Sequence, residues 1–419
     1  MAAATAASDW PQWRGPNADG VSPDGNPPLR WSEKENVKWK VRIPGEGFST
    51  PIAHRGRIFL LSAIPTGERK EVPPTPRRFS QAKVAPAEVV HQFTVLCLEQ
   101  SSGKELWRTS AVEAVPNEGR HRSHTFASSS PIAEGDRIHV SFGSHGIFCL
   151  DLDGRIVWKR DLGDMETRYS WGEGASPALH GDALIVNWDH EGPSFITALD
   201  KRTGKTLWKT ARDEVSSWTT PLIVEYGGGA QVVVPATKRI RAYDLKDGRE
   251  IWNCGGLFIN VVSCAVQRND VVHAMSSYGR SAVMAIRLGG EGDLTESDHR
   301  LWTYTRSASY VPSPALHEGR LYFLSRMDGM LTCLDAGTGE SFYENRRLTD
   351  IRGIYSSPVV AAGRVYIAGR DGATVVVRAG DAFEELAVNR LDDRFDASPA
   401  VAGKSLFLRG HRFLYCLEE

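Results

Sequence analysis

The sequence predicts an all-β protein: a single eight-bladed β-propeller of four-stranded antiparallel blades, the last blade closed by the N-terminal strand around Trp39. Three observations carry this prediction. A unit opening on Ser/Thr-Pro recurs along the chain, at Thr50, Ser130, Ser176, Thr220, Ser313, Ser357 and Ser398. A degraded copy begins at Ser263-Cys264, read as Cys in place of Pro. Each unit holds about four short apolar stretches between Gly, Asp or Asn turns, the signature of propeller blades. Finally, the last unit ends at Tyr415-Cys-Leu-Glu-Glu419, one strand short, while a spare strand, Lys38-Trp39-Lys-Val-Arg-Ile43, precedes the first.

The spacings between successive openings are 80, 46, 44, 43, 50, 44 and 41 residues. The first excess falls in 64–92, a Pro-, Arg- and Lys-rich segment read as a loop inserted in blade 1. Within units, Arg137-Ile-His-Val-Ser-Phe142 and Arg364-Val-Tyr-Ile-Ala368 alternate with period two, and no window sustains a helical period. Pairing the spare strand with the last unit removes the open sheet edge at the seam. The outer-strand position carries Trp107, Trp158, Trp208, Trp252 and Trp302, read as packing between neighbouring blades.

The chain of 419 residues carries 50 Lys+Arg against 51 Asp+Glu, so it lacks the electrostatic footprint of a nucleic-acid binder. No apolar run approaches the ~20 residues of a membrane helix. The six cysteines include no Cys-x-x-Cys and no adjacent pair, and Cys97, Cys149, Cys333 and Cys416 share one repeat position, which favours a buried packing role. Residues 1–36 read as an N-terminal extension: a small-residue remnant of a trimmed export signal, then Trp10-Pro-Gln-Trp13. Residues 37–419 form the propeller. The expected location is periplasmic or secreted, and the expected state is a monomer.

Units such as Ser130-Pro131…Cys149-Leu-Asp-Leu-Asp-Gly-Arg-Ile-Val-Trp158 resemble the repeat of the pyrroloquinoline-quinone-like β-propellers, a superfamily that includes quinoprotein alcohol dehydrogenases and the outer-membrane assembly lipoprotein. The opening Asp9-Trp-Pro-Gln-Trp-Arg-Gly-Pro-Asn-Ala-Asp-Gly20 resembles the start of exported propellers of planctomycete-like bacteria. The resemblance implies the fold and an exported location. It does not imply the cofactor: members that use the quinone place a vicinal disulfide against it and hold Ca²⁺ with a Glu/Asn/Asp set, and neither is matched here. No cofactor and no resident metal are therefore expected.

Propeller topology sorts the loops onto two faces. Loops between strands one and two, and three and four, are generic tight turns such as Glu134-Gly-Asp136. The opposite face concentrates His, Arg, Tyr, Trp and carboxylates, and loops on a rigid scaffold commonly carry function. The ligand-binding residues expected there are Trp171, Trp218, Tyr278, Arg280, Tyr310, Arg326, Tyr355, Arg370 and His145. Aromatic rings would stack on sugar faces while arginines pair with acidic groups, so a carbohydrate-like or small acidic ligand is expected. Were the protein an enzyme, Glu173 with Asp189, His190 and Glu191 would suit a glycoside hydrolase, and His190 or Tyr169 as base a polysaccharide lyase. The competing expectation is a non-catalytic protein-interaction scaffold, with the basic insertion Arg69-Lys70…Arg77-Arg78 as a docking element.

Overall fold

The computed structural model describes residues 9–71, 79, 81 and 83–419; the expectations placed on Met1–Ser8 and on Arg77-Arg78 lie outside them. Eight antiparallel sheets follow one another around a central axis. Blade 1 comprises Ile52–His54, Arg57–Arg69, Val89–Glu99 and Glu105–Ala114, and blade 2 comprises Ile132–Glu134, Arg137–Ser141, Ile147–Asp151 and Ile156–Arg160. Blade 8 takes Ala400–Ala402, Ser405–Arg409 and Phe413–Leu417 from the C-terminus and its outer strand, Val37–Arg42, from near the N-terminus. That outer strand pairs antiparallel with Phe413–Leu417, Trp39 opposite Cys416. The predicted closure is thus the observed one.

The repeated residues each make a repeated bond. The Ser/Thr hydroxyl of each blade accepts the backbone N–H of the preceding blade's Ser/Thr: Thr50 to Ser130, Ser130 to Ser176, Ser176 to Thr220, Ser313 to Ser357, Ser357 to Ser398, all at 2.8–3.2 Å. In the degraded copy Cys264 does this work, Sγ accepting from Thr220 N at 3.1 Å and its own N–H donating to Ser313 Oγ at 2.9 Å. Cys264 therefore stands in for the hydroxyl and Ala265 for the proline, which corrects the alignment read from sequence by one position.

The outer-strand tryptophans dock as expected. Trp39, Trp107, Trp158, Trp208 and Trp302 each donate Nε1–H to a carbonyl of the next blade's turn, at Gln100, Leu152, Lys201, Leu245 and Ala336. Under each ring lies that turn's glycine: Gly103, Gly154, Gly204, Gly248 and Gly339, all at φ of +70 to +84°, where a Cβ would come within 2.7 Å of the indole. Only glycine fits a left-handed turn with a ring pressed on it. Trp252 differs, bonding Gln231 of its own blade, whose sheet gains a fifth strand, Gly292–Asp293, along its outer edge. All six cysteines are free and buried.

The segment read as a loop over 64–92 begins and ends as strand, with Ile64 opposite Gln92 and Arg69 opposite Val89. Two described residues of this segment meet the loop-rich face: Lys83 Nζ stands 3.7 Å over the Tyr169 ring and Phe79 N donates to Glu166. Arg69 and Lys70 pair with Glu88 and Glu68.

Residues 9–29 do more than extend the chain. They cross the innermost strands, Trp10 pairing with Ala53, Pro11 O accepting from Ala133, Asp19 O from Leu316, Gly20 O from Val360, and Asn26 donating to Gly403. Arg14 is buried, its guanidinium donating to Pro314 O and Pro358 O of two adjacent blades. Burial holds its pKa down to about 10.

Candidate functional site

The turn preceding each Ser/Thr-Pro places one or two side chains at the axis, and on the loop-rich face these enclose a cavity of about 390 Å³. Its walls are aromatic: Trp171, Trp218, Tyr278, Tyr310 and Tyr355, with His121 and Phe48. The rings contact one another, Trp171 lying 6.3 Å from Trp218 and from Tyr278, 5.9 Å from His121, and Tyr278 5.2 Å from Tyr310. Trp218 is fixed by donating Nε1–H to Gly172 O at 2.7 Å. The lower lining consists of the repeat hydroxyls Thr50, Ser130, Ser176, Thr220, Ser357 and Ser398. Thr50 Oγ1 is buried there with no partner among the described residues.

Trp13 completes the lining from below. Arg14 beside it donates to Pro314 O and Pro358 O, so the N-terminal segment forms part of the cavity's floor. Sequence reasoning missed this floor. The signal was the Trp10-Pro-Gln-Trp13-Arg14-Gly15 cluster, which belongs to no repeat unit and so had to contact something other than a neighbouring blade.

At one edge Arg370 lies 4.2 Å over the Tyr355 ring and pairs with Asp396, which also holds His411 Nε2 at 2.7 Å. Asp396 is the carboxylate of the lining. Among the described residues no group of three or more His, Cys, Asp or Glu converges as a metal site.

The structure brings Trp171, Trp218, Tyr278, Tyr310, Tyr355 and Arg370 together around this cavity. Arg280 packs over Phe258 at 5.8 Å and Arg326 is exposed in its turn; both stand on loops that form the mouth but outside the lining. His145 lies elsewhere, against Phe93 with ring centroids 4.3 Å apart, and burial lowers its pKa to about 4.

Nor does the structure gather Glu173, His190 and Tyr169. Glu173 turns away from the cavity into a pocket between blades, where Ser144 donates to it through N at 2.6 Å and Oγ at 2.5 Å. Burial, with Glu118 nearby, pushes its pKa up to about 8, so it is protonated at neutral pH. Its backbone carbonyl accepts from His124 Nε2, a ring whose burial lowers its own pKa to about 4. His190 is occupied by backbone groups of Glu166, Gly192 and Pro193. Tyr169 sits at the rim at φ +55°, 5.3 Å from Trp171, its pKa lowered by a hydrogen bond from Arg168 and by Lys83. Asp189 is fully buried in an ion pair with Arg212 and accepts from Ser217 Oγ.

A family model described as outer membrane protein assembly factor BamB matches residues 91–345, more than half of the chain. The chain belongs to this family. Within it, the BamB of Yersinia pestis is 21% identical over 334 residues, covering 66% of this chain and 78% of that protein. Subunit 1 of the methanol dehydrogenase [cytochrome c] of Methylobacterium organophilum is 28% identical over 138 residues, 27% of this chain; the chain spans about a fifth (21%) of that subunit's length. Among solved structures, BamB from Moraxella catarrhalis superposes with a TM-score of 0.54 at 16% identity, covering 86% of this chain and 97% of that one. A europium-containing methanol dehydrogenase gives a TM-score of 0.64 at 12% identity, covering 96% and 89%. These likenesses share the fold of a BamB-family, quinone-type propeller. No helix among the described residues is long and apolar enough to cross a membrane.

Proposed function

We propose that this BamB-family propeller binds a carbohydrate ring in its central cavity. The observation that carries the reading is the lining itself: aromatic faces of Trp13, Trp171, Trp218, Tyr278 and Tyr310 above a girdle of serine and threonine hydroxyls. A sugar ring offers apolar C–H faces to stack and edge hydroxyls to bond, and Thr50 Oγ1 is a buried oxygen with bonding capacity to spare. The volume lies within the range of small-molecule sites. The site is read as binding and not as turning over its ligand, because Glu173 and His190 point away from the space a ligand would occupy.

A quinone with calcium does not fit these residues. Calcium takes six to eight oxygen donors including carboxylates. The lining supplies Asp396, which already holds Arg370 and His411. A location outside the cytoplasm is part of the same reading, supported by the outer-membrane description of the family.

A thermal-shift screen against neutral and acidic oligosaccharides tests the reading, since a ligand of the folded state raises Tm. The expected result is a saccharide hit that disappears in Trp171→Ala. A shift with pyrroloquinoline quinone plus Ca²⁺ would overturn it. Silence across the screen would favour the second reading, a protein-interaction scaffold, which the assembly-factor description of the relatives supports.

A further inference from the structure

The loops that supply the cavity wall carry arginines that have no carboxylate partner among the described residues. Arg122, Arg280, Arg326, Arg352 and Arg394 are exposed, and none lies within ion-pair distance of Asp or Glu among the described residues. Exposed arginines without a carboxylate partner stand elsewhere too, as Arg42, Arg249 and Arg287 do; what sets these five apart is where they stand. Each of the five is on a loop that also supplies the wall: Arg122 between His121 and Ser123, Arg280 after Tyr278, Arg326 beside Met327, Arg352 before Tyr355, Arg394 before Asp396. Of the exposed carboxylates beside them, Asp350 and Asp392 pair with Arg390 and Arg412 and Asp371 is engaged by Arg352 N–H, which leaves Asp328 against five guanidinium groups. On a chain whose net charge is −1, this is local charge and not a general basicity.

We propose that these loops select an anionic glycan, one whose terminal ring enters the cavity while carboxylate or sulfate groups on the following rings meet the arginines. This rests on the sugar reading of the cavity. An exposed guanidinium pairs bidentately with carboxylate or sulfate, and several on the loops of one cavity suit a repeating polyanion. Single-stranded nucleic acid is the other polyanion that stacks on aromatic rings. The glycan is favoured because nucleic-acid grooves track a backbone along a continuous basic path, and here the arginines are interrupted by the carboxylates Asp328, Asp371, Asp392 and Asp396.

Titration calorimetry on the whole chain tests this with three probes: oligogalacturonate, a neutral galacto-oligosaccharide of equal length, and oligothymidylate. At 50 mM salt the acidic sugar is expected to bind at least about tenfold tighter than the neutral one, the difference vanishing by about 0.5 M salt as screening shortens the reach of the arginines. In the Arg122→Gln, Arg352→Gln, Arg394→Gln variant the two affinities converge while Tm stays at the wild-type value. Equal binding of both sugars by the wild type would overturn the anionic assignment and leave the sugar reading standing. Binding of neither would sink both. Oligothymidylate binding as tightly as oligogalacturonate would overturn the glycan class in favour of nucleic acid.

Discussion

Glu173→Gln flattens the pH dependence of stability on the alkaline side. In the folded protein burial pushes the Glu173 carboxyl up to about 8, against an ordinary value near 4.5. Between these two values the folded state holds a proton that the unfolded chain has released. Its contribution is therefore complete below about pH 4.5 and is lost progressively as pH rises through about 8, at up to about 1.4 kcal/mol per pH unit. The total is on the order of a few kcal/mol. His124, His145 and His273 act in the opposite sense: burial lowers each to about 4, so the folded state lacks protons that the unfolded chain binds below about 6.5, and stability falls as pH drops from there toward 4. Urea midpoints are expected to decline between about pH 6.5 and 8 in the wild type and to hold level there in Glu173→Gln, while below pH 6.5 the variant keeps the histidine dependence without the opposing Glu173 slope. A parallel decline in both proteins would remove Glu173 as the cause.

Arg212→Met is expected to destabilise the protein by about 3–5 kcal/mol, because it strands a buried charge. Arg212 and Asp189 are both 0% exposed at the side chain. The guanidinium meets Asp189 through Nε at 2.7 Å and a terminal nitrogen at 3.0 Å, and its other nitrogen donates to the Tyr243 hydroxyl at 2.7 Å. With the cation gone, Asp189 keeps Ser217 Oγ and loses its counter-charge. The companion Arg212→Met/Asp189→Leu, which removes both charges, should recover most of the loss, since burying an ion pair gives little net stability over apolar packing. Chemical denaturation of the two variants decides this. An Arg212→Met protein as stable as wild type would mean that water reaches the pair.

The fold was legible because its bonds repeat with the sequence. One hydroxyl per unit ties each blade to the one before, one glycine per unit lies under each docked indole, and the Asp of each Leu-Asp strand end caps the turn that follows, as Asp151, Asp200 and Asp335 do. The cavity's aromatic wall was legible for the same reason: a side chain just before each Ser/Thr-Pro must face the axis. Two features were not. Arg14 donates to carbonyls 300 and 344 residues away, and no periodicity links such positions. Glu173 stands where the wall residues stand but turns between blades, a choice made by Gly143, which sits at φ +55° and whose missing side chain leaves the space the carboxylate fills. A glycine in one loop thus decides the direction of a carboxylate in another, and the sequence around Glu173 carries no trace of it.

The measurement that tests the account most directly is a crystal structure with the oligosaccharide that raises Tm the most. The account predicts a sugar ring stacked on the aromatic wall of Trp171, Trp218, Tyr278 and Tyr310, with Trp13 beneath it and an edge hydroxyl at Thr50 Oγ1. Saccharide density on the outer strands or on the opposite face, with the cavity holding only water, would contradict it.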